Sequence, residues 1–559
     1  MNKTGSNCEE KPWLRNYDAH VNSSLVYPDV SLVDLFDEQS KKNPGIPFLI
    51  YKDKLYTYHE VWSYVNAFAH SLIKHGVING DRVAMLLPNC PQFIIAYYAI
   101  LKAGGIVVAL NPQYPSHEYI PLLKKTSPSM IICTNQHKAE LLNNFDGDKY
   151  TQLIISDYPE ECVGISDKRT DHQAQDITFK FNDLLIPTKE DDKTQFPKVK
   201  PRDRAVFQFS GGTTGNPNAA IGLHKNIVAN VSQFINWCDL QSGNETILAA
   251  IPLYHVYGMV LAMNMSLALG GRMVIIDDAR QVEKILESIE NYHVTFYPGV
   301  PAMYYAINQN ENVRNGAYKL DSLKACISGS YTLHKSIKEE FENYTGAKLV
   351  EGYGLSEAPT ATHCNPIYGV NKTGSIGLPL PDVSCRVVDL STGMNDVERG
   401  REGELIIQGP QIMAGYFGSP VDEKMVMRQG WLYTGDVVRM DEDGYFYIVD
   451  RKKSLIKVGG MQVWPNEIEA IINSHPEIIE CAVGGVPDLV SGEKIIAWVI
   501  KQKGSLIIEN DIMDWCKGKL VSYKIPSEIY FNKEIPKSGV GKTLRRVLID
   551  DYKKQTQKG

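Results

Sequence analysis

Nine residues, Phe209-Ser210-Gly211-Gly212-Thr213-Thr214-Gly215-Asn216-Pro217, gather three glycines and three hydroxyl side chains into one short stretch. Glycine accepts the backbone angles that turn successive N–H groups inward, and short hydroxyls add donors to the same concavity. The segment is therefore a loop, and its chemistry suits phosphate. It is not the phosphate loop of ATPases, whose glycines are spaced differently and are followed directly by Lys-Ser/Thr. Taken alone the run reads as well as a flexible turn, so its meaning rests on the rest of the chain.

Around this loop, strand-like and helix-like runs alternate. Thr57-x-x-Glu60 is a capping box opening a helix; Val61, Val65, Phe68 and Leu72 fall on one face, and Gly76 ends it. Arg82 to Leu87 follows as a strand, and Ile106 to Leu110, Met130 to Cys133, Met273 to Ile276 and Val294 to Tyr297 are further buried-strand candidates. The alternation predicts a largely parallel, doubly wound α/β architecture. Residues from about Asp157 to Pro201 are polar and weakly periodic, and read as a surface excursion ahead of the loop. After Asp450-Arg451, the runs Ile479 to Val483, Lys494 to Lys501 and Glu528 to Phe531 predict a small α+β domain.

At 559 residues the chain is too long for one ordinary core, and two or more domains are expected. A net charge of −7 gives no general attraction to nucleic acid or to an anionic membrane. The ten cysteines show no C-x-x-C pair and no His/Cys cluster, which argues against zinc or a disulfide framework and fits a reducing cytoplasm. The N-terminus reads as no signal peptide. Phe93 to Leu110 is apolar, but Lys102 and Gly104-Gly105 interrupt it, so it is expected as a buried helix followed by a strand.

Four more blocks follow the loop: Glu351-Gly352-Tyr353-Gly354-Leu355-Ser356-Glu357; Gly430-Trp431-Leu432-Tyr433-Thr434-Gly435-Asp436; Asp450-Arg451-Lys452-Lys453-Ser454-Leu455-Ile456-Lys457; and Pro536-Lys537-Ser538-Gly539-Val540-Gly541-Lys542. In order and spacing the five blocks resemble the adenylate-forming enzymes: acyl-CoA synthetases, peptide-synthetase adenylation domains and beetle luciferases. The resemblance runs from about Pro12 to Arg546. Within the family it is to bacterial and archaeal fatty acyl-CoA ligases, through Ser-Gly-Gly-Thr-Thr-Gly and through Lys11-Pro12-Trp13-Leu14 and Leu25-Val26-Tyr27-Pro28.

The resemblance implies a large N-terminal adenylate-forming domain with doubly wound sheets (1–450) and a small mobile α+β domain (451–559), with a hinge at Lys453. It implies ATP, Mg²⁺ and CoA as reaction components. A carboxylate attacks the α-phosphate to give acyl-AMP and pyrophosphate, and a thiol then displaces AMP. Ser210, Gly211, Gly212, Thr213, Thr214 and Gly215 would wrap the β- and γ-phosphates. Glu357, with Thr214, would hold Mg²⁺. Gly352, Tyr353 and Gly354 would belong to the ATP/AMP site, with Tyr353 offering an aromatic face to adenine; Asp436 would accept the ribose hydroxyls, and Arg451 would bridge ribose and phosphate. Lys542 would reach the carboxylate and α-phosphate. Lys457, Gly459 and Gly460 would line the pantetheine path. Trp237, Tyr257, Gly258, Met259 and Tyr331 would line the acyl pocket, with His255 as a gate or positioning group at its junction with the thiol site. Each has a plainer reading: a core residue for Tyr353 and His255, a loop acid for Glu357, a turn residue for Asp436, a solvated lysine for Lys542.

Two departures stand out. Where the family continues Pro-Lys-Gly, this chain has Pro217-Asn218-Ala219-Ala220, which removes a positive charge near the pyrophosphate; His224 and Lys225 lie nearby in sequence. Ser328-Gly329-Ser330-Tyr331-Thr332-Leu333 puts a bulky Tyr331 where small residues and Pro-Leu are usual. The expected activity is an AMP-forming acyl-CoA synthetase for a medium- or long-chain fatty acid. Its rivals are an aryl- or short-acyl-CoA synthetase, a ligase charging a separate carrier protein, and a regulatory protein that binds nucleotide without turnover. The partners expected are small molecules and no nucleic acid. Peripheral membrane contact and a homodimer stay open.

Overall fold

The computed structural model describes residues 11–145, 152–158, 178–186, 195–210, 217–488, 490–537 and 543–556. Of the site candidates, 211–216 and 538–542, which include Gly211 to Gly215 and Lys542, lie outside the described residues. The chain groups into two units, Met1–Ser384 with Gln408–Gly430, and Cys385–Ile407 with Trp431–Gly559.

The first unit contains two sheets among the described residues. One orders Thr178–Lys180, Gln152–Ser156, Met130–Thr134, Arg82–Leu86, Ile106–Ala109, Arg204–Phe209 and Ala219–Leu223. Its pairs are parallel until the last, where Arg204–Phe209 and Ala219–Leu223 form an antiparallel hairpin. The other is parallel from Lys348–Leu355 through Ala325–Ser328, Phe296–Gly299, Thr246–Ala249 and Arg272–Ile275 to Pro47–Tyr51, with antiparallel strands at both edges. Val83, Ala84, Met85, Leu86, Val107 and Val108 are wholly buried. Continuous rather than alternating burial is what a parallel strand covered on both faces requires.

Local signals produce the expected helices. Thr57 Oγ1 accepts from the Glu60 N–H at 3.2 Å, and the Glu60 carboxylate accepts from the Thr57 N–H at 2.7 Å. Helix Tyr58–Lys74 then buries Val61, Val65, Phe68 and Leu72. Helix Pro91–Lys102 is buried along its whole length and leads to strand Ile106–Ala109. Lys102, the charge that breaks this apolar run, pairs its Nζ with Asp37 Oδ1 at 2.5 Å and lies over the rings of Trp62 and Phe196. Burial lowers its pKa, and the Asp37 carboxylate opposes that shift.

The stretch read as a surface excursion is more than that where it is described. Thr178–Lys180 extends the seven-stranded sheet, and Phe181 packs on Phe68 with ring centroids 4.5 Å apart. Its alternation covers only three residues, too few to show as a period.

In the second unit, Gly403–Gln408, Trp431–Met440 and Phe446–Arg451 pair antiparallel. A further sheet pairs Met461–Val463, Ile456–Val458, Gly492–Lys501 and Ile478–Asp488 antiparallel, with Glu528–Phe531 added in parallel. Helix Pro465–Asn473 buries Ile468 and Ile472 against this sheet.

Candidate functional site

The strands on either side of the Gly/Ser/Thr segment form the hairpin that ends the parallel sheet. Phe209 pairs with Ala219, and the N–H of Ser210 donates to the Asn218 carbonyl at 2.9 Å, closing the root. The returning segment 414–417 zips onto the same strand: Ala414 N–H to Ile221 O at 2.9 Å, Ile221 N–H to Gly415 O at 2.9 Å, Phe417 N–H to Ala219 O at 2.9 Å. Asn218 makes three side-chain contacts. Its Oδ1 accepts from Lys125 Nζ at 2.9 Å and from Ser419 Oγ at 3.1 Å, and its Nδ2 donates to Asp422 Oδ2 at 3.2 Å.

A second hairpin, Lys348–Leu355 with Ala358–Cys364, brings an acid to that root. Ser356 Oγ donates to the Phe209 carbonyl at 3.4 Å. The next residue, Glu357, has its carbonyl held by the Met413 N–H at 2.8 Å and its Oε1 by the Tyr416 hydroxyl at 2.6 Å. No sequence signal singles out Tyr416; only pairing of 414–417 with Ala219–Leu223 places it there. Tyr353 is half-buried and meets the edge of His363 at a centroid distance of 5.7 Å and 69°. His363 is fully buried and its pKa is pushed down to about 3 by desolvation, so it is neutral. Gly354 is required sterically, since a Cβ there would lie 1.8 Å from the Thr360 carbonyl oxygen. A Cβ on Gly352 would meet Ile327 at 3.1 Å. Glu351, the first residue of the same block, is 7% exposed. Burial pushes its pKa up to about 8, partly offset by a hydrogen bond from the Leu333 backbone.

The residues expected around the acyl group lie in the same unit. His255 caps the turn Val256–Gly258, its Nδ1 accepting from the Tyr257 N–H at 3.2 Å. The Tyr257 hydroxyl donates to Ile327 O at 2.7 Å and reaches Gly299 O at 3.2 Å, and burial raises its pKa. Gly258 admits the Pro252 carbonyl, 2.4 Å from where a Cβ would stand. Met259 begins a π-helical stretch, Met259–Asn264, of the kind frequent at functional sites. Asn264 supports it by donating to Met259 O at 2.8 Å and accepting from the Tyr98 hydroxyl at 3.1 Å. Trp237 is fully buried, its Nε1 donating to Asn365 O at 3.1 Å. Tyr331 is 40% exposed, and its hydroxyl accepts from the Ala302 N–H at 2.9 Å, at the start of helix Pro301–Gln309.

The remaining candidates belong to the second unit. Asp436 and Arg451 face each other across paired strands, Arg451 Nε to Asp436 Oδ1 at 2.6 Å, with Asp436 buried and Arg451 42% exposed along its side chain. Lys453 is exposed in the 3₁₀ turn Lys452–Ser454. Lys457 is exposed on Ile456–Val458, and Gly459 and Gly460 form the two-residue turn to Met461–Val463 with φ of +57° and +83°. Two consecutive positive φ angles define the tight hairpin turn that favours glycine, so this pair has a backbone reason to be glycine whatever passes beside it.

A Gly/Ser/Thr segment leaving a strand at the end of a largely parallel sheet, with an acid brought beside that strand's end by a second hairpin, is the candidate site of this α/β fold. The AMP-binding enzyme family model matches residues 36–417, and the AMP-binding enzyme C-terminal domain model matches 467–542. The chain belongs to the AMP-binding enzyme family. It is 36% identical over 554 residues to the long-chain-fatty-acid–CoA ligase of Bacillus subtilis (strain 168), covering 97% of this chain and 98% of that protein. Identity to the long-chain-fatty-acid–CoA ligase of Yersinia pestis is 34% over 557 residues, with the same coverage of each. Among solved structures, ATP-bound MatB from Rhodopseudomonas palustris matches with a TM-score of 0.81 at 26% identity, over 94% of this chain and 99% of its own. The O-succinylbenzoate coenzyme A synthetase MenE of Bacillus subtilis, in complex with ATP and magnesium, shares the fold with a TM-score of 0.78 at 24% identity, over 92% of this chain and 98% of its own. Among the described residues no helix is long and apolar enough to cross a membrane.

Proposed function

We infer that this protein is an ATP-dependent, AMP-forming acyl-CoA synthetase whose acid substrate is a medium- or long-chain fatty acid. The observation that carries the reading is the Ser356–Phe209 contact, which sets Glu357 at the root of the Gly/Ser/Thr loop. A hard divalent cation takes carboxylate oxygen and shares itself with substrate phosphates; Glu357, oriented by Tyr416, is the residue that would hold Mg²⁺, which neutralises phosphate charge when bound. The near-complete coverage of two long-chain-fatty-acid–CoA ligases supports a fatty acid as substrate and CoA as acceptor.

Within this reading Tyr353 offers its face to adenine, and its ring is held from the side by neutral His363. Asp436 accepts from the ribose, and Arg451, already its ion-pair partner, reaches from sugar to phosphate. Lys542 stabilises charge developing on the α-phosphate as the acyl carboxylate attacks. His255 and Tyr257 position the acyl end, Lys457 to Gly460 line the thiol path, and Lys453 is the hinge between the two half-reactions. The eight described cysteines carry free thiols, which supports a cytoplasmic setting.

The test is pyrophosphate release with a panel of acids, with and without CoA. Release with palmitate or decanoate, and acyl-CoA formed only when CoA is added, is the expected result. Release with benzoate or acetate alone would move the substrate to the aryl or short-chain class. Release without transfer to CoA would point to a carrier protein as acceptor, and no release with any acid would overturn the enzyme reading.

A further inference from the structure

Position 218 is neutral where the family's loop carries lysine, and neither of the two nearby cations in sequence takes its place. His224 is buried, accepts from the Leu32 N–H through Nδ1 at 3.3 Å, and is neutral, its pKa pushed down to about 4 by burial. Lys225 is exposed on the first turn of helix His224–Trp237. The cation that reaches the loop comes instead from helix Ser116–Thr126. Lys125 Nζ donates to the Pro217 carbonyl and to Asn218 Oδ1, both at 2.9 Å. Asn218 is the residue whose carbonyl accepts from Ser210 and closes the loop. Its side chain is an adaptor: Oδ1 takes the lysine and Ser419, and Nδ2 is drawn to Asp422. A lysine at 218 could accept from neither Lys125 nor Ser419, so the contacts that hold Lys125 here depend on the amide at 218.

We propose that Lys125 is the positioning cation of this phosphate loop: it fixes the returning arm at Pro217 and Asn218 and supplies, from another helix, the positive charge toward the triphosphate that residue 218 lacks. The proposal rests on the ATP-dependent reading above. An ammonium is a compact point charge on a flexible stem, which lets a residue 93 positions away deliver charge to a site that its own backbone does not form.

The experiment compares parent, Lys125→Met, Lys125→Arg, Asn218→Lys and the double variant Lys125→Met/Asn218→Lys, by pyrophosphate release and by calorimetric ATP binding. Lys125→Met is expected to weaken ATP dependence on the order of tenfold, the size of one lost charge-assisted contact, with KM for the acid unchanged. Lys125→Arg should keep most of the parent affinity. Asn218→Lys alone should bring no gain, because two cations then meet, whereas the double variant should recover ATP binding. An unchanged ATP dependence in Lys125→Met would overturn the proposal. So would an improvement in Asn218→Lys alone, or a general loss in Lys125→Met, with a lower Tm, that Asn218→Lys does not repair. Calorimetry reads Lys125 even if the parent turns over no acid, so failure of the enzyme reading and failure of this proposal give different results.

Discussion

A methyl group on Gly354 would sit 1.8 Å from the Thr360 carbonyl oxygen and 2.7 Å from Ala361 Cα, both backbone atoms of the paired strand. No rotamer change relieves that, so Gly354→Ala must push the hairpin apart. Overpacking a core costs typically about 1–3 kcal/mol, and here the displaced partner is backbone. The expected outcome is a lower Tm together with a disproportionate loss of ATP-dependent pyrophosphate release, since Ser356 and Glu357 are two and three residues on; normal release would show that the turn does not set their position. Glu351 allows a pH test. Its folded pKa is about 8 against an ordinary 4.5, so folding favours the proton-bound form. Stability from this group is therefore complete below pH 4.5 and is lost as pH rises through 8, each tenfold difference in proton affinity between folded and unfolded chain being worth about 1.4 kcal/mol. Glu351→Gln, which mimics the protonated acid, should match the parent near pH 4.5 and melt progressively higher than it toward pH 9. Parallel melting curves across that range would mean that the carboxyl is hydrated. The motif block names Glu351, Gly354 and Glu357 at once, but its letters do not say that the first is buried, that the second faces a carbonyl, or that Tyr416 orients the third. The first two come from pairing with Ala325–Ser328 and Ala358–Cys364, and the third from a hydroxyl 59 residues along the chain.

Regular elements were the most legible level, because their signals are local. The capping box at Thr57, the apolar face of Tyr58–Lys74 and the strands Arg82–Leu86, Ile106–Ala109 and Met130–Thr134 follow from propensity and period alone. Irregular elements were not legible. The π-helical stretch Met259–Asn264 depends on Asn264 meeting Tyr97, Tyr98 and the Met259 carbonyl, a network that sequence period cannot express. Asn264 is 1% exposed, and a buried donor or acceptor left without its partner costs about 1–3 kcal/mol. Asn264→Leu should therefore lower stability by that order and relax the stretch that follows His255, Tyr257 and Gly258. The kinetic expectation is a raised KM for the acid with the ATP dependence unchanged. Equal changes in both would place the π-helical stretch outside the acyl site.

At the scale of the whole chain, the sequence pointed to a large α/β part and a small α+β part, and both are present. What it did not reveal is that the second unit also takes in Cys385–Ile407 and begins its main stretch at Trp431 rather than at 451. Strand Gly403–Gln408 is buried at every residue but the last and looks like any short strand, and only its pairing with Trp431–Met440 assigns it. Lys453 lies later in this unit, exposed in the turn that follows strand Phe446–Arg451. If that turn is the hinge, Lys453→Pro fixes φ at one value and restrains Lys452 before it, so a backbone rotation needed between the half-reactions is blocked. Because the side chain is exposed, Lys453→Ala serves as the control and should retain both half-reactions. Single-turnover measurements should find acyl-AMP formed by Lys453→Pro and its transfer to CoA lost. Loss of both halves in the proline variant would indicate a damaged resting turn, and loss of transfer in the alanine variant would make the ammonium, rather than the backbone, the functional group. Parent-rate acyl-CoA formation by Lys453→Pro would move the hinge to another position.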